Sequence, residues 1–280
     1  MFGATGQVAR EVARRSGDWT VEALSRAEAD LTDPAACAAR IADADADAVL
    51  NAAAYTAVDA AEGDEATAAV VNGEAPTAMA EAASPRNLPF IHLSTDYVFD
   101  GAGAAPRDET AATAPIGAYG WSKLAGEAGV RGAEGVHAIL RTSWVFSAHG
   151  SNFVKTMLRL GAERERLTIV DDQIGGPTPA AAIADACLAV AGALARGEGE
   201  TGVYHFAGAP DVSWREFAEA IFAEAGLEVE VAPIPTSDYP TPARRPLNSR
   251  LDCGRIERAF GVKRPDWRAQ LKDVVREITA

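Results

Sequence analysis

Short, continuous apolar runs alternate with amphipathic stretches through the first three quarters of this 280-residue chain. Continuous runs of this kind are typical of strands buried on both faces of a parallel sheet, and parallel strands need crossover connections, usually helices. We therefore predict an α/β fold with a doubly wound parallel sheet. The predicted strands are 48–50, 90–94, 138–141, 167–170 and 203–206, and the predicted helices are 8–15, 34–44, 76–83, 122–130, 153–161 and 180–195.

A glycine-rich turn opens the chain, in the pattern Gly3-x-x-Gly6-x-x-Ala9. Glycines at these places let the backbone turn tightly and approach a pyrophosphate, which the first amides of the next helix can bind. The turn therefore predicts a Rossmann-like nucleotide site. Only Met1 and Phe2 precede it, so we expect a truncated first strand that buries less apolar surface and lowers stability, with the phosphate turn itself intact.

The next predicted strand, 21–24, ends without the acidic residue that would bind an adenosine ribose 2′-hydroxyl. Ser25 and Arg26 stand there instead, and an arginine accommodates a 2′-phosphate. The sequence thus favours NADPH, with NADH as the alternative and a solvated Arg26 as the simplest other interpretation.

The character of the sequence changes after Gly208. Ser213 and Glu216 form a capping-box pattern for a helix reaching Ala225, five prolines interrupt 233–246, and a last helix spans 266–278. We predict an NAD(P)-binding domain in 1–146, to which strands near 167–170 and 203–206 return. Residues 147–166, 171–202 and 207–280 would form mostly a small C-terminal substrate-binding lobe and connecting helices.

Tyr119 and Lys123 form a Y-x-x-x-K pair whose members share one helix face. A lysine ammonium close to a phenol lowers the phenol pKa and makes tyrosine usable in proton transfer. Thr95 follows a predicted strand, where its hydroxyl could meet a carbonyl oxygen beside Tyr119. Small residues after Asn51, up to Thr56, would let a cofactor pass close to the backbone. Together these elements predict a reductase site more specifically than any of them alone.

The chain resembles the dTDP-4-dehydrorhamnose reductase family of the extended short-chain dehydrogenase/reductases over nearly its whole length. The departures are the short first strand and Ala9. The matching blocks are GATGQVA (3–9), NAAAYTAVD (51–59), STDYVFDG (94–101), YGWSKLAGE (119–127), RTSWVF (141–146), NFVKTMLRL (152–160), DDQIGGPT (171–178) and YPTPARRPLNSRL (239–251).

The resemblance implies reduction of the C4 ketone of dTDP-4-dehydro-L-rhamnose to dTDP-L-rhamnose, a precursor of cell-surface polysaccharide. By resemblance, Tyr119 gives a proton to the C4 oxygen, Thr95 hydrogen-bonds that oxygen, and Lys123 tunes Tyr119 and binds the nicotinamide ribose. Substrate contacts are expected from Val58, Thr95, Asp96, Trp144 and Arg245. Cofactor contacts are expected from Gly3, Thr5, Gly6, Gln7, Val8, Arg26, Asp30, Leu31, Ala54, Tyr55, Thr56, Leu93, Tyr119 and Lys123.

Some members of this family dimerise through magnesium held by glutamates, and Glu11 matches one such position. One acid makes no metal site, so we assign no metal ligand, and both Mg²⁺ and a homodimer stay open. The formal net charge of −14 argues against nucleic acid and anionic membrane as partners. Cys37, Cys187 and Cys253 are far apart, no apolar run reaches 18 residues, and no signal peptide is evident. We expect a cytoplasmic protein.

Three other functions stay open at the level of sequence. A dehydratase or epimerase of the same superfamily is the nearest rival, but Tyr97 stands where a dehydratase carries a catalytic glutamate. A reductase of another dTDP-4-keto-6-deoxysugar would share every motif. A non-catalytic, nucleotide-binding regulatory subunit, like the family's relatives that partner methionine adenosyltransferase, could retain all three catalytic residues.

Overall fold

The computed structural model describes all 280 residues, in eleven α-helices and eleven strands. The helices are α1 (Gln7–Arg14), α2 (Pro34–Ala42), α3 (Val58–Ala61), α4 (Glu65–Ala69), α5 (Ala75–Ala83), α6 (Ala118–Gly132), α7 (Phe153–Glu163), α8 (Ala180–Ala195), α9 (Trp214–Ala225), α10 (Gly254–Phe260) and α11 (Trp267–Thr279). The strands are β1 (Val49–Asn51), β2 (Phe90–Thr95), β3 (His137–Thr142), β4 (Val145–Phe146), β5 (Arg166–Val170), β6 (Ile174–Gly175), β7 (Thr178–Pro179), β8 (Gly202–His205), β9 (Val212–Ser213), β10 (Glu230–Ile234) and β11 (Asn248–Ser249).

The main sheet is parallel throughout, in the order β1-β2-β3-β8. Phe2 extends it beyond β1, because single bridges join Phe2 to Asn51 on one side and to Leu24 on the other. β3 is buried at all six positions, as expected for a central strand covered by helices on both faces.

Helices cover the main sheet on both faces, which confirms the doubly wound α/β prediction. On one face, Val8 and Val12 of α1 pack with α8 against Ile91 and Leu140. On the other face, α2, α5 and the end of α6 pack against Phe90, Ile139 and Val203, and the apolar positions of these helices recur at helical spacing. The chain therefore forms two hydrophobic cores, one on each face of the main sheet. No helix is long and apolar enough to cross a bilayer.

The first strand is short, as expected, and consists essentially of Phe2. The Phe2 amide donates to the Leu50 carbonyl at 2.9 Å, its carbonyl accepts from the Ala52 amide at 3.1 Å, and its ring is 2% exposed. A cavity of about 680 Å³ lies beside it, lined partly by Met1, Val21 and Leu50. The predicted strand 21–24 is wrong as a regular element, because only Leu24 makes a bridge there.

A third core forms the lobe beyond the main sheet. α7, α9 and α11 bury Phe146, Met157, Phe217, Ile221 and Trp267 together. α9 begins with the predicted capping box: Ser213 accepts from the Glu216 amide, and the Glu216 carboxylate accepts from the Ser213 amide. Asp266 caps α11 by accepting from the Arg268 amide.

The prediction that the strand near 167–170 returns to the main sheet is wrong. β5 pairs in parallel with β10, in a separate two-stranded sheet against α9. The partner strand β10 is difficult to predict from the sequence because it contains Pro233, and proline within a run weakens a strand prediction. By contrast, 203–206 does return, as β8, next to β3. The wider division at residue 146 stays a prediction.

Candidate active site

The glycine-rich turn connects Phe2 to α1 at the carboxyl edge of the main sheet. Gly3 has φ +97°, and a Cβ there would lie 2.9 Å from the Ala53 nitrogen, so only glycine fits. α1 begins after Gly6 with no side-chain cap and no acidic residue in its first turn. Its first amides are therefore free of side-chain partners, and this edge suits an anionic group such as a pyrophosphate.

The side chains of the glycine-rich turn differ in exposure and in hydrogen-bond partners. Thr5 is exposed, whereas the Val8 side chain is 7% exposed and packs in the core, so Val8 can offer a ligand only its backbone. The Gln7 side-chain oxygen accepts from Ser147 Oγ at 2.8 Å and from Asn152 Nδ2 at 2.9 Å. Asn152 also caps α7 through its side chain. The turn is thus bonded directly to the start of the lobe.

The structure brings Thr95 and Tyr119 together at the carboxyl end of β2. Thr95 is the last residue of that strand and is 5% exposed. α6 begins at Ala118, so Tyr119 lies in its first turn, and Gly120 packs so tightly that any Cβ would collide with the Tyr97 carbonyl oxygen. This close approach explains the glycine after Tyr119 and holds the phenol beside the strand end. Tyr97 meets Tyr119 edge to face, with ring centroids 5.4 Å apart.

The Tyr119 phenol is held in its neutral form. Burial raises its pKa to about 12, a hydrogen bond with Thr95 opposes the rise, and the Asp96 carboxylate adds to it. Lys123 does not lower this pKa in the structure, contrary to the expectation from the sequence. The Lys123 amino nitrogen lies 2.7 Å from the Leu93 carbonyl oxygen and 3.2 Å from His92 Nε2. A neutral phenol is the form that can donate a proton.

Asp96 lies next to Thr95 and is 3% exposed. Its carboxylate accepts from Thr95 Oγ1 at 3.1 Å and from Ser249 Oγ at 2.5 Å. Burial raises the pKa of Asp96 to about 6, although both hydrogen bonds oppose the rise. The Thr142 hydroxyl, paired in register with Thr95 on β3, is buried without a partner. Sequence reasoning missed Ser249 and Thr142, since only the fold shows that they border the site.

The small-residue segment after β1 is held in place by Asn72, which sequence reasoning also missed. Asn72 Oδ1 accepts from the Tyr55 amide at 2.8 Å, and Asn72 Nδ2 donates to the Tyr55 carbonyl at 3.0 Å and to Ser122 Oγ at 2.9 Å. Ala54 and Tyr55 are partly buried and Thr56 is exposed. This segment is therefore fixed to α6, the helix that carries Tyr119 and Lys123.

The residues predicted to lie near the adenosine end of the cofactor differ in their exposure to solvent. Arg26 is largely exposed and forms an ion pair with Asp30, Nε to Oδ2 at 3.1 Å. Leu31 is 7% exposed and packs in the second core. Asp30 also accepts from the Thr32 amide at 3.0 Å, which holds its pKa below the usual value. Arg26 is thus accessible to a ligand but already paired with one carboxylate.

Trp144 has φ +49°, a conformation that a bulky residue rarely adopts. Its indole stacks on Trp214, with centroids 3.5 Å apart and planes 10° apart, and Gly175 lies so close that a Cβ would be 2.9 Å from Trp144 Cε2. Trp214 Nε1 donates to Gln173 Oε1 at 3.0 Å. A non-glycine residue held at positive φ by its surroundings is often found at a functional site.

Arg245 is the predicted contact for the diphosphate, and in this structure it lies against α3. Its guanidinium meets the Asp59 carboxylate at two points, 2.7 and 3.1 Å, next to the partly buried Val58. Arg244, its neighbour, is exposed. The structure therefore separates Arg245, which is paired with Asp59, from its exposed neighbour.

The Glu11 carboxylate is engaged by side chains of its own chain, and a magnesium ion shared between subunits stays a prediction. The carboxylate lies 3.5 Å from Arg14 Nη1, 3.4 Å from Arg15 Nε and 3.1 Å from His149 Nε2. A site for a divalent cation needs several oxygen ligands, and no group of three His, Cys, Asp or Glu residues comes together in the structure.

A parallel sheet whose carboxyl edge combines uncapped helix amides with a threonine, a neutral tyrosine and a buried lysine defines a class of protein. That class is the short-chain dehydrogenases/reductases, which use a nicotinamide nucleotide. Within the class, a model of the RmlD substrate binding domain family matches residues 1–280, and the chain belongs to that family.

Individual relatives agree with this assignment and confirm the resemblance seen in the sequence. The dTDP-4-dehydrorhamnose reductase of Burkholderia thailandensis is 48% identical over 289 residues, covering 99% of this chain and 97% of its own. A solved dTDP-4-dehydrorhamnose reductase from Clostridium acetobutylicum superposes with a TM-score of 0.93 at 33% identity, covering 100% and 98% of the two chains. The Bacillus anthracis enzyme, solved in complex with NADP, gives a TM-score of 0.92 at 32% identity, covering 99% and 97%.

Proposed function

We propose that the protein reduces the C4 ketone of dTDP-4-dehydro-L-rhamnose to dTDP-L-rhamnose, with NADPH as the electron donor. The observation that carries the proposal is the convergence of Thr95, a neutral Tyr119 and the free amides of α1 at one edge of the sheet. Family membership supports the substrate, and the NADP complex of a relative supports the cofactor.

NADPH, when bound, supplies a hydride to C4 of the sugar. The residues of this chain handle the oxygen: Tyr119 gives its phenolic proton to the developing alkoxide, and Thr95 donates a hydrogen bond to it. The Thr95 hydroxyl now donates to Asp96, so binding of a ketone requires that bond to be exchanged. The net change is one hydride from NADPH and one proton, which solvent returns to Tyr119.

The remaining predicted residues have binding roles in this proposal. The backbone of Gly6, Gln7 and Val8 would hold the pyrophosphate, and Arg26 would accept a 2′-phosphate after leaving Asp30. Lys123 would bind the nicotinamide ribose, and Arg245 would meet the sugar diphosphate. Asp96 and Trp144 would contact the sugar.

The test is NADPH oxidation by the purified chain with freshly generated dTDP-4-dehydro-L-rhamnose, and identification of the product. We expect one NADPH oxidised for each dTDP-L-rhamnose formed. Many turnovers on a catalytic amount of cofactor would favour an epimerase instead. Turnover of a different 4-keto-6-deoxysugar, with none on this one, would reassign the substrate, and a tight protein partner without any turnover would favour a regulatory subunit. Size-exclusion chromatography with light scattering tests the homodimer, which stays a prediction.

A further inference from the structure

His92 lies directly beneath the site, although the sequence indicates only a core residue. It is 1% exposed in the middle of β2, between a residue of β1 and a residue of α6. Asn51 Nδ2 lies 3.3 Å from His92 Nδ1, and Lys123 Nζ lies 3.2 Å from His92 Nε2. The three side chains, all about 1% exposed, form a continuous buried series from the end of β1 to Lys123.

The direction of the first hydrogen bond follows from Asn51. The Ala53 amide donates to Asn51 Oδ1 at 3.1 Å, so the amide oxygen faces Ala53 and the NH₂ group faces His92. His92 Nδ1 must therefore accept. Burial holds the pKa of His92 well below its ordinary value, and a neutral imidazole carries a single N–H. That hydrogen is on Nε2 and is directed at Lys123.

The second hydrogen bond then depends on the charge of Lys123. Its amino group donates to the Leu93 carbonyl at 2.7 Å. A neutral amine has a lone pair that can accept from His92 Nε2–H, whereas an ammonium has three donors and no acceptor. If Lys123 were protonated, one of its N–H groups would face His92 Nε2–H. Avoiding this repulsion would require His92 to change tautomer and Asn51 to give up its bond to Ala53.

Burial and the Glu127 carboxylate also act on the charge of Lys123, in opposite directions. Glu127, one turn along α6, favours the ammonium, while burial favours the amine and lowers the pKa of Lys123 to about 8. Glu127 is already engaged by Arg141 of β3 at 2.6 Å and by Ser94 Oγ of β2 at 2.6 Å. The neighbouring histidine and its tautomer therefore bear directly on the lysine charge.

We propose that Asn51 and His92 are positioning residues that favour the neutral amine of Lys123 over the ammonium, through the Nε2–H tautomer of His92. The consequence for cofactor binding rests on the proposed function, in which Lys123 contacts the ribose as an ammonium. NADPH binding above pH 8 would then take up one proton from solvent onto Lys123.

The first test is made on the ligand-free protein and does not depend on activity. The ¹⁵N shifts of His92, assigned by comparison with His92→Gln, should show a protonated Nε2 and an unprotonated Nδ1 at pH 9. The Nδ1–H tautomer, or an imidazolium, would overturn the proposal. Absence of sugar reduction alongside the Nε2–H result would count against the proposed function alone.

The second test uses the pH dependence of NADPH binding. A glutamine carbonyl can accept from an ammonium, so His92→Gln should move the pH at which affinity falls upward by about one unit. At pH 9.5 the His92→Gln variant should therefore have lost about tenfold less NADPH affinity than the wild type. His137→Gln, the same change at a buried histidine outside the site, should leave the profile unchanged. A folded His92→Gln protein with the wild-type profile would contradict the proposal.

Discussion

Arg245 and Asp59, 186 positions apart, are joined by a two-point ion pair between the proline-rich loop and α3. We expect Arg245→Met to raise the KM for the dTDP-sugar about 10- to 100-fold, because a charged hydrogen bond to phosphate would be lost. The Kd for NADPH should stay the same. Arg244→Met removes an exposed charge one residue away and should change neither constant; equal effects of the two variants would remove Arg245 from the substrate site.

Tyr119→Phe should lower kcat by about 10²- to 10⁴-fold, since it deletes the proton donor and leaves the ring in place. NADPH affinity, measured by fluorescence titration, should be nearly unaffected. Tyr239→Phe is a matched control, because Tyr239 is 57% exposed and has no part in the proposed proton transfer. Near-normal turnover by Tyr119→Phe would exclude the phenol as the donor.

Asp96→Asn should change how stability depends on pH. The folded pKa is raised to about 6 from an ordinary value of 3.8, so between these values the folded state binds more protons and the free energy of unfolding falls as pH rises. Above pH 6 the buried carboxylate costs on the order of 1–3 kcal/mol, which the asparagine avoids. The variant should therefore be more stable than the wild type at pH 7.5 in urea titrations, and the gain should disappear at pH 3.5, where stability permits a measurement.

The same Asp96→Asn variant should lose turnover, because the sugar contact and the bond from Ser249 are altered. A variant that is no more stable at pH 7.5 would show that the two hydrogen bonds compensate fully for burial of the charge.

Gly175→Ala should raise the KM for the dTDP-sugar without changing NADPH binding. Its Cβ would lie 2.9 Å from Trp144 Cε2 and 3.0 Å from Ser249 Cβ, so it would displace both the indole and the partner of Asp96. Gly132→Ala, with nothing within 4 Å of its Cβ at the end of α6, should bind both ligands normally. Unchanged kinetics in Gly175→Ala would argue that Trp144 does not contact the sugar.

Local signals in the sequence predicted the local structure well. The Ser213 and Glu216 pair marked the start of α9 because a capping box involves only four residues, and the apolar runs marked β2, β3 and β8 because burial on both faces leaves few polar positions. The family resemblance predicted which residues belong near the site. These inferences needed no knowledge of distant contacts.

Pairings across the chain could not be predicted in the same way. β5 joins β10 rather than the main sheet, and nothing within 166–170 distinguishes one parallel partner from another. The partners of Asp96 and Arg245, namely Ser249 and Asp59, lie more than 150 positions away. The contacts of Lys123 with the Leu93 carbonyl and with His92 likewise form only in the packed structure.

The bond between the phosphate turn and the lobe has a consequence for their relative position. Gln7 belongs to the turn, yet its side chain fixes Ser147 and Asn152, and Asn152 begins α7. A ligand that restrains Gln7 through its backbone also restrains the segment on which the lobe is mounted. The side chain of Gln7 thus links the position of the phosphate turn to the position of the first turn of α7.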